Sequence, residues 1–360
     1  MNTVVTLPLV GRDIRKTFRR ATGEVVRALD GVSLEASRGT LTALVGPDGA
    51  GKTTLIRLMA GLMAPDSGAL KVLDLDVVAQ PQAVQDRIGY MPQKFGLYED
   101  LSVAENLDLY ADLHGIDAAQ RARQYPRLLE MTALAPFTKR LAGRLSGGMK
   151  QKLGLACTLV RSPELILLDE PTVGVDPLSR RELWDIILQL VEDEGLTVLL
   201  STSYLDEAER CGHVVVMHSG RVLAQGTPAA ITGTARERVF VAEPPAGQTA
   251  RGLQARLLQE PDLVDAVPEA GQVRIVRAAA TGSDRLRGPL QHAKVEPALP
   301  RFEDAFMVLL RWTVGDSHRG ACLIWCSYSA PLVGGVRSIS RSRQLDLVSH
   351  RSPDFQLRMS

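Results

Sequence analysis

The stretch "GPDGAGKTT" at residues 46–54 constrains the fold more than any other part of the chain. It follows a short apolar run, "LTALV", and opens a helical pattern, "GKTTLIRLMAGLM". Because glycine has no Cβ, the backbone N–H groups of such a loop can converge on an anion, and the N-terminus of the following helix favours negative charge. A strand, a glycine-rich loop and a helix in this order predict a phosphate-binding turn at the edge of an α/β sheet.

The loop fits the Walker A pattern, in which a lysine and a threonine follow the last glycine. We expect Lys52 to reach the β- and γ-phosphates of ATP and the Thr53 hydroxyl to bind Mg²⁺. Chance would produce this pattern in roughly 1% of chains of this length, and the flanking strand and helix argue against chance here. The predicted ATP-binding residues of the loop are Gly46, Pro47, Asp48, Gly49, Ala50, Gly51, Lys52, Thr53 and Thr54.

A second apolar strand, "ELILLDEP" at 164–171, ends in two acids. We expect Asp169 to hold the Mg²⁺ shell and Glu170 to polarise the attacking water, since ligands of α/β sheets bind at the carboxyl ends of the strands. Buried strands often end in solvated acids, so this signal is weak alone. The phosphate loop upstream makes it strong.

The rest of the first 232 residues alternates between short apolar runs and helical patterns. We predict buried strands at "LTVLLS" and "HVVVMH" and helices at "SVAENLDLYADLHG", "GGMKQKLGLACTLV" and "RRELWDIILQLVEDEG". This alternation predicts an α/β domain with a largely parallel sheet. Residues 233–311 read as a small appended α+β domain, with strands at "RVFVAE" and "QVRIVRAAA" and a helix at "RFEDAFMVLLRW".

Residues 312–360 have a different composition, with nine serines, six arginines and neither lysine nor glutamate. We expect either a disordered tail or residues that are not native sequence, such as the product of a shifted reading frame.

Composition limits the other classes of protein. The net charge of +1 in 360 residues gives no general attraction to nucleic acid. We find neither a secretory signal nor a run of 18 uncharged apolar residues that could span a membrane. The four cysteines suggest a reduced cytosolic chain, and Cys322 and Cys326 lack the second ligand pair of a zinc site.

The stretch "LSGGMKQK" at 145–152 completes a set of motifs with the phosphate loop and "LLDEP". In this order and spacing, the chain resembles the ATP-binding cassette (ABC) ATPases, the motor subunits of ABC transporters. Ser146, Gly147, Gly148 and Gln151 match the family's signature motif, which binds the ATP held by a second copy of the domain. The resemblance implies a P-loop NTPase (RecA-like) fold over residues 1–232, with a helical subdomain at about 95–160.

Further positions match the family one by one. Phe18 in "RKTF" resembles the aromatic residue that stacks on adenine, although an ordinary core phenylalanine is the alternative. Gln93 in "GYMPQ" resembles the Q-loop glutamine, which senses the γ-phosphate and Mg²⁺, and Asp176 in "VGVDP" resembles the D-loop aspartate, which communicates across the dimer. The wording of "GYMPQKFGLYEDL", "STSYLDEAE" and "PRFEDAFMVLL" is similar to YbhF-type multidrug exporter ATPases, over about residues 5–311.

The chain departs from the family pattern in two ways. Ser203 stands where most members carry a histidine that contacts the γ-phosphate, and a hydroxyl cannot carry positive charge, so we expect slow hydrolysis. YbhF-type proteins carry two nucleotide domains, whereas this chain has one set of motifs and resembles the first half. We therefore expect it to pair with itself or with another cassette.

The resemblance implies an ATPase that powers export of small molecules through separate membrane-spanning permease subunits, from a peripheral position on the cytoplasmic face of the cell membrane. Its expected cofactors are ATP and Mg²⁺. One alternative is a cassette ATPase without a transporter, acting on ribosomes or DNA; the near-zero net charge disfavours nucleic acid as a partner. Another is a truncated half of a tandem protein that binds ATP but hydrolyses it poorly.

Overall fold

The computed structural model describes residues 7–94, 96–279 and 290–313. The expectations for the tail, and for Cys322 and Cys326, lie outside the described residues, apart from the helical end of residues 312–313. No helix within the described ranges is long and apolar enough to cross a lipid bilayer.

The described residues form three sheets and ten α-helices. The strands are β1 (Leu9–Arg19), β2 (Val25–Ala36), β3 (Leu41–Val45), β4 (Ser67–Val72), β5 (Leu75–Asp76), β6 (Ile88–Met91), β7 (Leu165–Asp169), β8 (Thr197–Thr202), β9 (His213–His218), β10 (Arg221–Gly226), β11 (Val239–Glu243), β12 (Leu263–Glu269), β13 (Gln272–Arg277) and β14 (Lys294–Pro297). The helices are α1 (Lys52–Met59), α2 (Pro81–Gln85), α3 (Val103–Leu113), α4 (Ala118–Met131), α5 (Gly147–Leu159), α6 (Pro177–Glu192), α7 (Leu205–Ala208), α8 (Pro228–Thr232), α9 (Ala250–Leu257) and α10 (Phe302–Thr313).

The central sheet has the strand order β10-β9-β3-β8-β7-β6, and only β10 runs antiparallel to its neighbour. Both faces are covered, because alternate residues of one strand belong to different cores. Ala43 and Val45 of β3 lie in one hydrophobic cluster and Leu44 in the other. This explains why the strands are continuous apolar runs without polar alternation. The prediction of an α/β domain with a largely parallel sheet is confirmed.

A second, antiparallel sheet has the order β2-β1-β4-β5 and was not predicted from the sequence. Its long strands carry charged residues, and the register of β1 on β2 shifts at three places, which breaks the alternation that marks a strand.

Helix α1 is also shorter than predicted. It ends at Met59, and Gly61 then turns the chain with a φ of 65°.

Three helices lie in the region of 95–160. Helix α3 begins with a capping box of Ser102 and Glu105, and α4 begins with one of Asp117 and Gln120. Helix α4 was missed in the sequence, since it carries Pro126 and buries only Leu128. Helix α5 packs against both α3 and α4.

The segment after residue 238 forms an antiparallel sheet in the order β12-β13-β11-β14, the strand order of a ferredoxin-like unit. Its β13 strand faces two ways. Val273 and Ile275 lie in a small core with α9, whereas Val276 joins the large core that contains α10 and the central sheet. Helix α10 therefore packs on this sheet and on the body of the molecule at once.

A buried ion pair fastens α10 to β13. The Arg274 Nη2 and Nε atoms bind the two oxygens of Asp304 at 2.6 and 3.0 Å, and the two side chains are only 8% and 6% exposed. Two parallel hydrogen bonds of this kind fix the relative orientation of the guanidinium and the carboxylate and also compensate their charges.

We expect Asp304→Ala to lower the free energy of unfolding by about 3 kcal/mol, because it leaves the Arg274 guanidinium buried without its counter-ion. Urea denaturation followed by far-UV circular dichroism measures the change. Glu296→Ala is the matched control, since Glu296 pairs with Lys294 at 65% exposure for both side chains and should leave the midpoint of denaturation almost unchanged. Equal losses in the two variants would contradict the assignment.

Candidate functional site

The glycine-rich loop connects β3 to α1 and lies against the ends of neighbouring strands. Two of its glycines are sterically required. A Cβ on Gly46 would lie 2.2 Å from the carbonyl oxygen of Met217, and one on Gly51, whose φ is 103°, would lie 2.5 Å from that of Ala28. In the same loop Asp48 and Gly49 are exposed. At Gly46 and Gly51 the loop therefore follows a path that a residue with a side chain could not take.

Lys52, the first residue of α1, is 4% exposed and has four oxygen neighbours. Its Nζ donates to the carbonyl oxygens of Gly46 at 2.7 Å and Pro47 at 3.3 Å and to the Ser203 hydroxyl at 2.9 Å. It also forms an ion pair with Glu170 Oε1 at 3.1 Å. The predicted phosphate-binding lysine and the predicted water-polarising glutamate thus lie in direct contact.

Asp169 ends β7 and faces α1. Its Oδ1 accepts hydrogen bonds from the Thr53 hydroxyl at 3.0 Å and from the Ser201 hydroxyl at 2.7 Å. Its Oδ2 is buried without a hydrogen-bond partner among the described residues. Burial raises the pKa of Asp169 above its ordinary value, because desolvation disfavours the charged form. A buried carboxylate oxygen with no donor is unusual and suits a ligand from outside the chain.

Glu170 adopts a φ of 50°, a left-handed conformation that is strained for a residue with a side chain. Its N–H donates to Ser201 Oγ at 2.9 Å, which helps to hold this conformation. Its side chain accepts from Ser203 Oγ at 3.0 Å and from Gln93 Nε2 at 3.0 Å. Gln93, which follows β6, and Ser203, which follows β8, therefore both bind the carboxylate that follows β7, at one edge of the sheet.

Ser201 was not singled out in the sequence. It is fully buried near the end of β8 and binds both acids, through the Asp169 side chain and the Glu170 backbone. The signal for it was the polar "STS" that directly follows the apolar "LTVLL". Hydroxyl groups at the carboxyl end of a buried parallel strand must find hydrogen-bond partners, so a run of them indicates contacts with other polar residues at that edge of the sheet.

The predicted signature residues form a second group. Ser146 is the N-cap of α5 and accepts from the Met149 N–H at 3.2 Å. A Cβ on Gly148 would lie 2.1 Å from that of Ser179, so this glycine allows α5 to approach α6 closely. Asp176 caps α6 and accepts from the Ser179 N–H at 3.0 Å, and such hydrogen bonds hold its pKa below the ordinary value.

Across the described ranges, no hydrogen bond or ion pair joins this second group to Lys52 or Thr53. Gln151 is 2% exposed, and its Oε1 has no partner among the described residues. The two groups of predicted site residues are thus separate within one chain.

The remaining predicted positions lie at the margin of the site. Phe18 is 39% exposed in β1, opposite Val26 of β2, and the Lys16 ammonium lies 5.8 Å from its ring centroid. Thr54 is half-buried in α1. His213 and His218 are the end residues of β9, and burial lowers the pKa of both. Neither forms a hydrogen bond with Lys52 or Glu170 in the described structure.

Comparisons with known proteins agree with this geometry. The sequence pattern of the ABC transporter family matches residues 29–173, which include the loop and both acids. The chain is 51% identical over 288 residues to the probable multidrug ABC transporter ATP-binding protein YbhF of Escherichia coli (strain K12), a match that covers 79% of this chain and 50% of that protein. It therefore spans about half the length of that curated relative.

Shorter relatives are covered more fully. The chain is 42% identical to the daunorubicin resistance ATP-binding protein DrrA3 of Streptomyces coeruleorubidus, over 62% of this chain and 71% of that protein. A solved structure of an ATP-binding subunit of an ABC transporter superposes with a TM-score of 0.56 at 34% identity, covering 63% of this chain and 92% of that one. The chain belongs to the family of ABC transporter ATP-binding proteins.

Proposed function

We propose that this chain binds and hydrolyses ATP as the motor unit of an ABC exporter that drives small molecules, including drugs, through separate membrane subunits. One observation carries the proposal: Lys52, Gln93 and Ser203 converge on the Glu170 carboxylate, next to the Thr53–Asp169 pair. A cation, a water-polarising carboxylate and oxygen ligands at one strand edge are the groups that phosphoryl transfer to water needs.

Each residue has a distinct task in this proposal. The N-terminus of α1 and the loop N–H groups attract the phosphates, and Lys52 neutralises charge on the β- and γ-phosphates. Glu170 accepts a hydrogen bond from the attacking water and orients it, and Gln93 holds one of the Glu170 oxygens at 3.0 Å. Phe18, exposed on β1, offers a ring face to adenine.

The residues around Asp169 fit Mg²⁺. This cation prefers hard oxygen ligands, and Asp169 Oδ2 and the Thr53 hydroxyl provide two beside the phosphate loop. Gln93, which binds the adjacent Glu170, would supply a third oxygen from its side-chain amide. Mg²⁺, when bound, would neutralise charge on the phosphate oxygens.

The separation of the signature group from the loop favours assembly in pairs. We propose that the N-terminus of α5, with Ser146, Gly147 and Gly148, completes the site of a second cassette, identical or related, and that Asp176 lies at that contact. Gln151, whose side chain is 2% exposed, would support this helix end from within the chain. Permease subunits, drug-like substrates and a place at the cytoplasmic face of the cell membrane are proposed from the multidrug and daunorubicin resistance names of the relatives. In this proposal residues 1–232 are the nucleotide domain, and 233–311 are an appended domain.

A second candidate is a cassette that binds ATP but hydrolyses it poorly. Ser203 favours it, because its hydroxyl contacts Lys52 and Glu170 without carrying charge.

Mg-ATP hydrolysis by the purified chain, measured at rising protein concentration, tests the proposal. The rate should climb faster than linearly, because each site is completed by a second cassette, and Glu170→Gln should lower it by at least about 100-fold. ATP binding without hydrolysis at any concentration would favour the second candidate instead.

Ser203→His should raise the hydrolysis rate by about 10-fold, since an imidazolium, unlike a hydroxyl, carries a positive charge that stabilises the negative charge developing on the phosphate in the transition state. Steady-state kinetics with saturating Mg-ATP measures this change. Ser203→Asn is the matched control, because it adds bulk without a charge and should gain less. An unchanged rate in Ser203→His would argue that residue 203 does not limit hydrolysis.

Ser201→Ala should raise the Mg²⁺ concentration needed for half-maximal hydrolysis by about 10-fold, because Asp169 loses the hydroxyl that orients it. The check is a Mg²⁺ titration at fixed ATP. Ser162→Ala, which removes a hydroxyl that accepts from Gln124 on an exposed part of the surface, should leave the midpoint unchanged. A shift of similar size in the control would contradict the orienting role.

A further inference from the structure

A buried carboxylate lies beside the site and has no part in the chemistry proposed above. Glu207, in α7, is 1% exposed. Its Oε1 accepts from Arg180 Nε at 2.7 Å and from Trp184 Nε1 at 3.1 Å, and its Oε2 accepts from the Thr202 hydroxyl at 2.5 Å. Both oxygens are therefore satisfied, and the charge is compensated by a guanidinium, as a buried carboxylate requires.

The same carboxylate holds the backbone on both sides of Ser203. The Thr202 hydroxyl donates to Glu207 and accepts from the N–H of Tyr204 at 3.0 Å. Thr202 and Tyr204 are the two chain neighbours of Ser203. The Arg180 guanidinium, which binds Glu207, also lies 4.3 Å from the Tyr204 ring centroid.

Ser203 transmits this restraint to the reacting groups. Its hydroxyl accepts from Lys52 Nζ at 2.9 Å and donates to Glu170 Oε1 at 3.0 Å. A serine has a single side-chain torsion that matters here, so its oxygen follows its backbone closely. A small shift of residues 202–204 would break one or both of these contacts.

The charge itself points to positioning and not to stability alone. Well-packed apolar residues of similar volume stabilise a fold as well as a buried ion pair does. The ion pair differs in that its hydrogen bonds fix the relative orientation of the two side chains. Two of the three donors, Arg180 and Trp184, belong to α6, whose N-cap is Asp176 of another predicted motif. Glu207 thus joins α6 to the loop that carries Ser203.

We propose that Glu207 is a positioning residue, which fixes the backbone around Ser203 through Thr202 and Arg180 and so places the Ser203 hydroxyl between Lys52 and Glu170. This inference rests on the proposed ATPase function. The carboxylate touches none of the reacting atoms, and its effect on hydrolysis passes through residue 203.

A double-mutant cycle on the full chain tests the proposal. Glu207→Gln keeps the shape of the side chain and should lower kcat about 10-fold, with a smaller change in KM. In a Ser203→Ala background the same substitution should cost less than about 2-fold, because the hydroxyl that it positions is absent. Equal losses in both backgrounds would overturn the proposal, since a merely structural role acts whatever residue stands at 203.

Three further variants separate positioning from damage to the fold. Thr202→Val removes the bridging hydroxyl and should reproduce the loss, whereas Thr202→Ser keeps the hydroxyl and should restore kcat to within about 2-fold of wild type. Asp206→Asn is the matched control, because Asp206 binds the same Arg180 at 2.8 Å but is 66% exposed. It should change kcat by less than about 2-fold.

Hydrogen exchange measured by mass spectrometry on residues 201–206 tests the positioning role without relying on hydrolysis, and so it applies even if the wild type is inactive. Thr202→Val should speed exchange of the Tyr204 amide by about 10-fold while the rest of β8 stays protected. Absent hydrolysis with this local loosening would reject the proposed ATPase function but would support the restraint of the Ser203 backbone through Thr202. Unchanged exchange in this variant would reject the positioning role itself.

Discussion

The ion pair between Lys52 and Glu170 is the interaction on which the arrangement of the site depends. The two charged atoms are 3.1 Å apart, and the side chains are 4% and 8% exposed. Neither charge could be buried alone at acceptable cost, so each holds the other in place. Lys52 follows β3 and Glu170 follows β7, and the strand between them, β8, is followed by Ser203, which binds both. Residues that follow three adjacent strands, β3, β8 and β7, thus meet at this ion pair.

Strand register makes this meeting possible. In the parallel sheet Val45 of β3 pairs with Thr202 of β8, and Ser201 of β8 pairs with Asp169 of β7. Side chains alternate between the two faces of a strand, so a slip of one residue would carry Ser201 to the opposite face from Asp169. The two hydrophobic cores fix the register, because they bury alternate residues of each strand. Packing far from the loop therefore determines whether the hydroxyls reach the carboxylates.

The sequence predicted the parts of this site that are encoded locally. The loop, Lys52, Thr53 and the two acids at the end of β7 are each marked by a few adjacent residues, and parallel strands bring their carboxyl ends to one edge of the sheet. The fold class followed from the same patterns and is confirmed. The contact of Lys52 with Ser203 joins residues 151 positions apart, and no local pattern encodes it. The same holds for Glu207, two of whose three donors lie 27 and 23 residues away on α6. The antiparallel sheet of β1 and β2 was missed because its irregular register hides the strand period.

The four neighbours of Lys52 bear on what a ligand must do. An ammonium has three hydrogens, and Nζ already has four oxygens within 3.3 Å, so a phosphate oxygen can bind it only by displacing one of them. Displacing Glu170 would free the carboxylate for water while Gln93 still holds its other oxygen. Serine suits the resting arrangement, since one hydroxyl accepts from Lys52 and donates to Glu170. A protonated histidine at 203 could not accept from Lys52, because both ring nitrogens would be donors. Serine at position 203 therefore stabilises the site without nucleotide, whereas a protonated histidine would place an additional positive charge near the phosphate.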